Sequence, residues 1–259
     1  MISDWVRLVA SGAVLLEGFH AVKHALRFGA SLPMVVTSNR ALVLSLADTL
    51  APDVSATLGG RLLDVDAATF TRLVPSGHHT EVAALALRPE WPPVEAAGRA
   101  APLVFLDNPR HLGNYGAVIR VAAGLGAAGV VSTGSVDPWQ GAVVRGAAGL
   151  QFALPVVRVP ALTPSFDGPV LAFDGAGRDA RTATIPDDAI LAFGSERSGL
   201  SPEVRARADD LLALPMRRGV ASYNLASAVA MALYQWALTP PFSDGPADGP
   251  ADGPAAPTT

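Results

Sequence analysis

The chain contains no cysteine, only one lysine and few charged residues for its length. Without cysteine it forms no disulfide, no thiolate metal site and no cysteine nucleophile, which is compatible with a reducing compartment. No apolar run approaches the roughly eighteen uncharged residues of a transmembrane helix. The apolar stretch 8–16 lacks the basic flank of a signal peptide, and we predict a helix and a turn there. We therefore expect a cytoplasmic protein without a membrane span.

The composition is otherwise that of a globular protein. A chain of 259 residues is long enough for one large or two modest domains. Half of the residues are apolar and 16% are charged, which is enough apolar side chains for well-filled cores. The net charge of −4 argues mildly against a nucleic-acid partner. However, 18 of the 19 basic residues are arginines, and a local arginine face can bind phosphates whatever the net charge. Scattered, solvated arginines remain the alternative.

The pattern of apolar residues divides the chain into four parts. Residues 1–90 predict a compact α/β/α unit, 91–101 a proline-rich linker, 102–240 a second α/β unit, and 241–259, with its repeated Ala-Asp-Gly-Pro, a disordered tail. In the second unit we expect strands near Leu103–Leu106, Val130–Ser132, Leu154–Val157, Val170–Phe173, Ile190–Phe193 and Leu211–Leu214, and helices starting near Gly113, Gln140, Ser201 and Ser222. This alternation predicts a mostly parallel sheet with both faces covered.

One glycine motif points to a different class of protein. Gly124-Leu125-Gly126-Ala127-Ala128-Gly129 matches the G-x-G-x-x-G dinucleotide fingerprint. In that fingerprint a strand precedes the glycines and a helix follows, whereas here the expected helix precedes and the strand follows. A nucleotide-dependent oxidoreductase is therefore a disfavoured alternative. His78-His79 hints at a metal, but no third ligand is apparent, and we predict an exposed loop and no metal.

Polar loops follow three of the expected strands. They hold Asp107 to Gly116, then Gly194-Ser195-Glu196-Arg197-Ser198-Gly199, and finally Arg217-Arg218-Gly219 leading to Ser222-Tyr223-Asn224. Ligands of open α/β sheets bind at the carboxyl ends of the strands, so these loops predict a site; ordinary strand-to-helix turns are the alternative. Arg120 lies in an apolar helix, where an unpaired arginine is costly to bury. It could also snorkel to solvent or pair with Glu196.

The three loops resemble the three motifs of the SpoU/TrmH family of SPOUT-class RNA 2′-O-ribose methyltransferases. The first motif runs from Asn108-Pro109-Arg110 through Gly113-Asn114-Tyr115-Gly116-Ala117 to Arg120, the second is Gly194 to Ser201, and the third runs from Leu214-Pro215-Met216 to Ser222-Tyr223-Asn224-Leu225-Ala226. Val144 to Gly149 resembles an intermediate block without its usual serine, and Tyr223 stands where leucine is common. Residues 16–22 resemble, less specifically, an L30e-like substrate-binding domain.

The resemblance implies a fold and a cofactor. The fold is an α/β knot, a SPOUT methyltransferase domain with a deep C-terminal trefoil knot, preceded by a small L30e-like α/β/α domain. The cofactor is S-adenosylmethionine, held by Gly194, Ser195, Leu214, Met216, Tyr223 and Leu225. The family works as a homodimer with the active site built across the interface. The apolar last helix could equally pack within one chain.

The resemblance also implies roles for polar residues. Arg120 is the proposed general base. Because a guanidinium holds its proton firmly, accepting a proton is a more demanding role for Arg120 than orienting a phosphate or stabilising an alkoxide. Asn114, Glu196, Ser222 and Asn224 complete the implied catalytic group, while Arg145, Arg217, Arg110 and Glu17 are the implied RNA contacts. The expected substrate is a loop or bulge of ribosomal RNA. Transfer RNA, or a catalytically silent RNA-binding protein of the same fold, are the alternatives.

Overall fold

The computed structural model describes residues 1–94 and 98–238, which form two α/β units. The first unit contains α1 (Ile2–Ala10), β1 (Val14–Glu17), α2 (Phe19–Arg27), β2 (Met34–Thr37), α3 (Arg40–Leu50), α4 (Pro52–Arg61), β3 (Leu62–Asp64), α5 (Ala67–Leu73) and β4 (Val82–Ala86). Its sheet has the order β1-β4-β2-β3, with β4 antiparallel to both neighbours and β2 parallel to β3.

Two elements of this unit differ from the sequence prediction. We expected a helix and a turn over 8–16, but α1 ends at Ala10 and Gly12 turns the chain with φ +91°, a conformation that glycine adopts without strain. The chain then pairs as β1 with β4. We also missed α4, which begins at Pro52 directly after α3. Asp66 caps α5, because its carboxylate accepts a hydrogen bond from the Thr69 N–H.

The second unit contains one six-stranded sheet. Its elements are β5 (Leu103–Leu106), α6 (Leu112–Gly124), β6 (Gly129–Ser132), α7 (Gly141–Ala147), β7 (Val156–Arg158), β8 (Val170–Asp179), β9 (Ile190–Phe193), α8 (Pro202–Arg207), β10 (Asp210–Ala213) and α9 (Leu225–Ala237). The order is β10-β8-β9-β5-β6-β7, and all pairs are parallel, as predicted. The trefoil knot itself stays a prediction. The expected tail, 241–259, lies outside the described residues, as do 95–97 of the linker.

Two boundaries of the second unit differ most from the prediction. The last helix begins at Leu225, three residues later than expected, because the Asn224 side chain caps it by accepting from the Ala226 N–H. Ser222 and Tyr223 therefore lie in the preceding loop and are exposed. The predicted strand ended at Phe173, but β8 continues to Asp179. Gly177 in this extension passes close to the Leu211 backbone. Both changes bring polar residues to the carboxyl end of the sheet.

An acid–arginine pair joins the two units. Glu17, at the end of β1, is only 2% exposed, and its carboxylate accepts hydrogen bonds from Arg145 of α7 and from the Ser76 hydroxyl. This corrects the expectation that Glu17 contacts RNA, because a buried carboxylate is inaccessible to it and would repel phosphate. Arg145 is half exposed, but its guanidinium is committed to this pair.

The backbones of the two units also touch. His24 of α2 lies 2.8 Å from the Ala148 carbonyl through its Nδ1. Gly149 (φ +76°) lies so close to α2 that an added Cβ would sit 2.6 Å from the Ala21 carbonyl oxygen. Buried apolar residues of both units belong to one core. The angle between the units is therefore set by close packing.

Replacing Arg145 with alanine is expected to destabilise the protein by about 1–3 kcal/mol, because it leaves the buried Glu17 carboxylate without its positive partner. Urea unfolding of the full chain measures this. Arg181→Ala is the matched control, since Arg181 pairs with Asp179 at the surface, where such pairs contribute little. Unchanged stability of Arg145→Ala together with weaker RNA binding would instead support Arg145 as an RNA contact.

Candidate active site

The three polar loops meet at the carboxyl ends of β8, β9 and β10 around one pocket of about 430 Å³. The lining residues, drawn from five segments of the chain, are Asn114, Phe173, Asp174, Gly175, Phe193, Gly194, Ser195, Glu196, Gly199, Leu214, Met216, Ala221, Ser222, Tyr223, Asn224, Leu225 and Ala228. All six predicted cofactor-binding residues are among them, as are four of the five predicted catalytic residues. The fifth, Arg120, is not.

Three polar side chains from three different motifs form a continuous hydrogen-bonded chain at the mouth of this pocket. The Asn224 amide donates to Oδ1 of Asn114 (2.8 Å), and the Asn114 amide donates to Oε1 of Glu196 (3.0 Å). The other Glu196 carboxylate oxygen accepts from the Arg110 N–H at 3.3 Å. Each amide is thereby fixed in one orientation, because its oxygen accepts and its nitrogen donates. The hydrogen bonds thus run from Asn224 to Asn114 and from Asn114 to Glu196, which only accepts.

The surroundings of Glu196 keep it ionised. Partial desolvation alone would raise the pKa of this carboxyl, but hydrogen bonds from the Asn114 amide and from the backbone N–H groups of Arg110 and His111 outweigh it, so the pKa lies below its usual range. A lowered pKa means that the charge is present at neutral pH and is lost only in acid. Glu196 is therefore a fixed negative acceptor at neutral pH and not a proton donor.

The loop carrying Glu196 is held by backbone contacts. Ser195 and Gly199 exchange two N–H···O bonds of 3.0 Å each. Gly194 passes so close to this turn that an added Cβ would overlap the Gly199 and Leu200 backbone. Asp107, at the end of β5, accepts from the Ser201 N–H (2.6 Å) and from the Thr133 hydroxyl (3.2 Å). The first and second motifs are thus tied together through one buried carboxylate.

The inner walls of the pocket are apolar. The Phe173 and Phe193 rings stack with centres 4.7 Å apart, and Leu214, Met216 and Leu225 also face the space. Tyr223 folds back over its own loop by donating to the Pro215 carbonyl (2.7 Å). Side chains would meet nothing within 4 Å at Gly175 and Gly199, so both glycines leave room for a ligand. The pocket therefore suits a molecule with a flat apolar ring and a polar end.

Arg120 lies outside this pocket. It is exposed on α6, two turns beyond Asn114, and among the described residues no acid pairs with its guanidinium. Its charge acts on the first unit, where it helps to lower the pKa of His20 and of Lys23. The sequence alternative that Arg120 pairs with Glu196 is wrong.

The implied RNA-contacting arginines occupy three different environments. Arg217 is exposed on the loop before α9, and the Arg110 side chain is exposed while its backbone N–H bonds Glu196. Arg145 pairs with Glu17 at the seam between the units. Arg217 and Arg110 thus lie near the pocket mouth, and Arg145 does not.

Sequence reasoning missed several pocket residues. Phe173 lines the pocket from the end of the predicted strand, and Asp174 and Gly175 line it from the extension of β8, where Asp174 also pairs with Arg205 of α8. Asp174 and Gly175 could have been predicted, since they directly follow an apolar run predicted as a strand, and polar residues at strand ends are candidates in any parallel sheet.

Comparison with known proteins agrees with this arrangement. The SpoU rRNA Methylase family model matches residues 101–234, more than half of the chain. A 23S rRNA (adenosine(1067)-2′-O)-methyltransferase of Streptomyces laurentii is 33% identical over 161 residues, which are 55% of this chain and 58% of that protein. The chain thus spans little more than half of that relative. The 23S rRNA (guanosine(2553)-2′-O)-methyltransferase RlmP of Bacillus subtilis is 26% identical over 247 residues, 90% of this chain and 94% of that one.

A solved structure shows the same fold over both units. The SpoU methyltransferase AviRb from Streptomyces viridochromogenes, in complex with the cofactor AdoMet, superposes with a TM-score of 0.73 at 23% identity. The superposition covers 90% of this chain and 95% of AviRb. Because the family model covers the parallel sheet, its three motif loops and most of α9, the chain belongs to the SpoU rRNA methylase family.

Proposed function

We propose that this protein is an S-adenosylmethionine-dependent methyltransferase that modifies a ribose 2′-hydroxyl in RNA. The observation that carries the proposal is the Asn224–Asn114–Glu196 chain, whose fixed polar groups stand at the mouth of an apolar pocket. The pocket's stacked rings and glycine-lined space fit an adenosine group. Bound S-adenosylmethionine would supply a methyl group already activated by its sulfonium.

The residues at the pocket mouth would orient the sugar. A ribose hydroxyl is a weak nucleophile at neutral pH, so holding its oxygen in line with the methyl carbon provides much of the acceleration. Asn114, Glu196, Ser222 and Asn224 offer donors and acceptors for that purpose on one rim. Glu196, ionised at neutral pH, would accept a hydrogen bond from the Asn114 amide and keep it aimed at the ribose.

We further propose that the protein acts as a homodimer in which Arg120 completes the site of the partner. In a single chain, Arg120 does not line the pocket. Helix α9 packs against α6, and Tyr234 on α9 and Leu238 directly after it are 59% and 63% exposed. An exposed apolar surface on the helix that packs against the Arg120-bearing α6 supports association of two copies through these helices. The Arg120 guanidinium would hold the substrate phosphate and stabilise the charge that develops on the ribose oxygen.

The proposed substrate is ribosomal RNA in the cytoplasm. The names of the Streptomyces laurentii and Bacillus subtilis relatives specify 23S rRNA, and the second relative matches over nearly its whole length. A ribose must be lifted from a helix to reach such a pocket, which favours a loop or bulge. Within the described residues, no helix is long and apolar enough to cross a membrane.

Labelled S-adenosylmethionine tests this function. We expect the protein to transfer labelled methyl groups to RNA from cells that lack it, and alkaline hydrolysis should leave the label in dinucleotides, because a methylated 2′-oxygen cannot attack its phosphate. Glu196→Gln should lower the rate by at least about tenfold. The glutamine amide nitrogen is a donor, and it would face another donor, either the Arg110 N–H or the Asn114 amide nitrogen. Glu203→Gln, a change at an exposed acid of α8, is the matched control.

Four outcomes would contradict the proposal. Label in mononucleotides would indicate base methylation. Full activity of Glu196→Gln would remove that residue from the site. RNA binding without any transfer would favour the catalytically silent alternative, and stabilisation by NAD but not by S-adenosylhomocysteine would favour the oxidoreductase.

A further inference from the structure

Four basic or titratable side chains meet where the two units join, and we name them the seam cluster: His20 and Lys23 of α2, His79 of the loop before β4, and Arg120 of α6. His20, His79 and Arg120 are exposed and Lys23 is partly exposed. Helices α2 and α6 are brought together because both pack on α7 and the turn after it. The cluster thus draws on both units.

Within the part of the chain that the structure describes, no acid forms an ion pair with the seam cluster. Among the described residues, neither Lys23 nor Arg120 forms an ion pair, and the Lys23 ammonium instead lies 5.9 Å from the centre of the Phe19 ring. The acids nearby are engaged elsewhere: Asp53 pairs with Arg27, and Glu17 is buried against Arg145. Burial first, and then the charges of Lys23, Arg120 and His79, lower the pKa of His20.

Like charges held together repel one another, and this repulsion is relieved when an anion binds between them. Helix α2, which carries His20 and Lys23, is held against the second unit, because Glu17, two residues before it, bonds Arg145, and Gly149 touches the Ala21 backbone. A fixed group of this kind loses little freedom on binding. The nearby His78 and His79 rings stack with centres 4.4 Å apart and add donors and flat surfaces at its edge.

We propose that the seam cluster binds backbone phosphates of the RNA next to the methylated ribose, with Lys23 and His20 as contacts in addition to Arg120. This rests on the proposed function, in which Arg120 meets the ribose. His20 and Lys23 lie on α2, which packs on α7 as the Arg120-bearing helix α6 does, so phosphates adjoining that ribose would be within their reach. The first unit would then touch RNA at the reaction site itself, and its orientation would be part of target selection.

Binding of an unmodified 23S rRNA transcript by the full-length protein tests this proposal. Lys23→Gln should weaken binding about three- to tenfold at moderate salt and reduce the slope of log affinity against log salt by about one, as expected for one lost phosphate contact. His20→Gln should weaken it less, and Lys23→Arg should retain wild-type affinity. Arg61→Gln is the matched control, because Arg61 is an exposed basic residue of the same unit with no acid partner among the described residues.

Two readouts separate this proposal from the proposed function. If methyl transfer occurs but Lys23→Gln and His20→Gln bind RNA as Arg61→Gln does, the cluster proposal is overturned; the same holds if the wild-type protein does not bind the transcript. If Lys23→Gln loses RNA binding while the wild-type protein transfers no methyl group, the cluster stands and the function fails. Unchanged stabilisation of every variant by S-adenosylhomocysteine shows that the pocket is intact.

Discussion

Replacement of Arg120 with alanine is expected to lower the rate of methyl transfer to RNA at least about a hundredfold, as when an enzyme loses a group that stabilises developing charge. Stabilisation by S-adenosylhomocysteine should not change, because Arg120 does not line the pocket. Single-turnover methylation and thermal melting measure the two effects, and Arg181→Ala serves as the control. Loss of ligand stabilisation in Arg120→Ala would show instead that this arginine supports the pocket.

Mixed dimers decide whether Arg120 acts on the pocket of its own chain or on that of its partner. One chain carries Arg120→Ala with an intact pocket, and the other carries Gly194→Ala with an intact arginine. Each homodimer should be inactive. If Arg120 serves the partner, the mixture regains activity, because the intact pocket then faces an intact arginine. An inactive mixture that has exchanged subunits would contradict the composite site.

Gly194→Ala itself is expected to weaken cofactor binding at least about a hundredfold, or roughly 2.7 kcal/mol. The new methyl group would overlap the backbone of Gly199 and Leu200, which cannot move aside as a flexible side chain can. The loop carrying Ser195 and Glu196 must then shift. Calorimetric titration with S-adenosylhomocysteine measures the loss, and far-ultraviolet circular dichroism checks that the chain still folds.

Gly124→Ala is the matched control for this substitution. Gly124 ends α6 within the G-x-G-x-x-G match, its φ is not positive, and an added Cβ would meet nothing within 4 Å. The alanine should leave cofactor affinity unchanged, since no dinucleotide is held there. Equal affinity of both variants would mean that the tight turn at Gly194 does not shape the pocket.

Much of the parallel sheet could be predicted from the sequence because its strands are short apolar runs bounded by polar loops. Leu103–Leu106 and Ile190–Phe193 are buried on both faces in the structure, which is why they read as continuous apolar segments. Strand β1 was harder to predict, because its four residues gain strand character only by pairing with β4, nearly seventy residues later. Such pairing leaves little trace in the local pattern.

The resemblance to known motifs located the pocket, but it could not show how side chains pair across the fold. The partnership of Glu17 with Arg145 joins residues 128 positions apart, and neither local sequence carries a sign of it. Arg120 illustrates the opposite case. It belongs to the motif that supplies Asn114, yet the helical turn between them directs it to the outside of the chain.

The contact of Gly149 with the Ala21 backbone has a consequence for how targets are chosen. Because the two units touch at that point, a rotation of one unit against the other would be opposed by their backbones, and the distance between their binding surfaces stays fixed. If the protein acts on RNA as proposed, the RNA would have to adapt, by presenting a bend that fits the fixed arrangement of the two units. Discrimination among candidate nucleotides would then depend on the cost of deforming each RNA site more than on reading its bases.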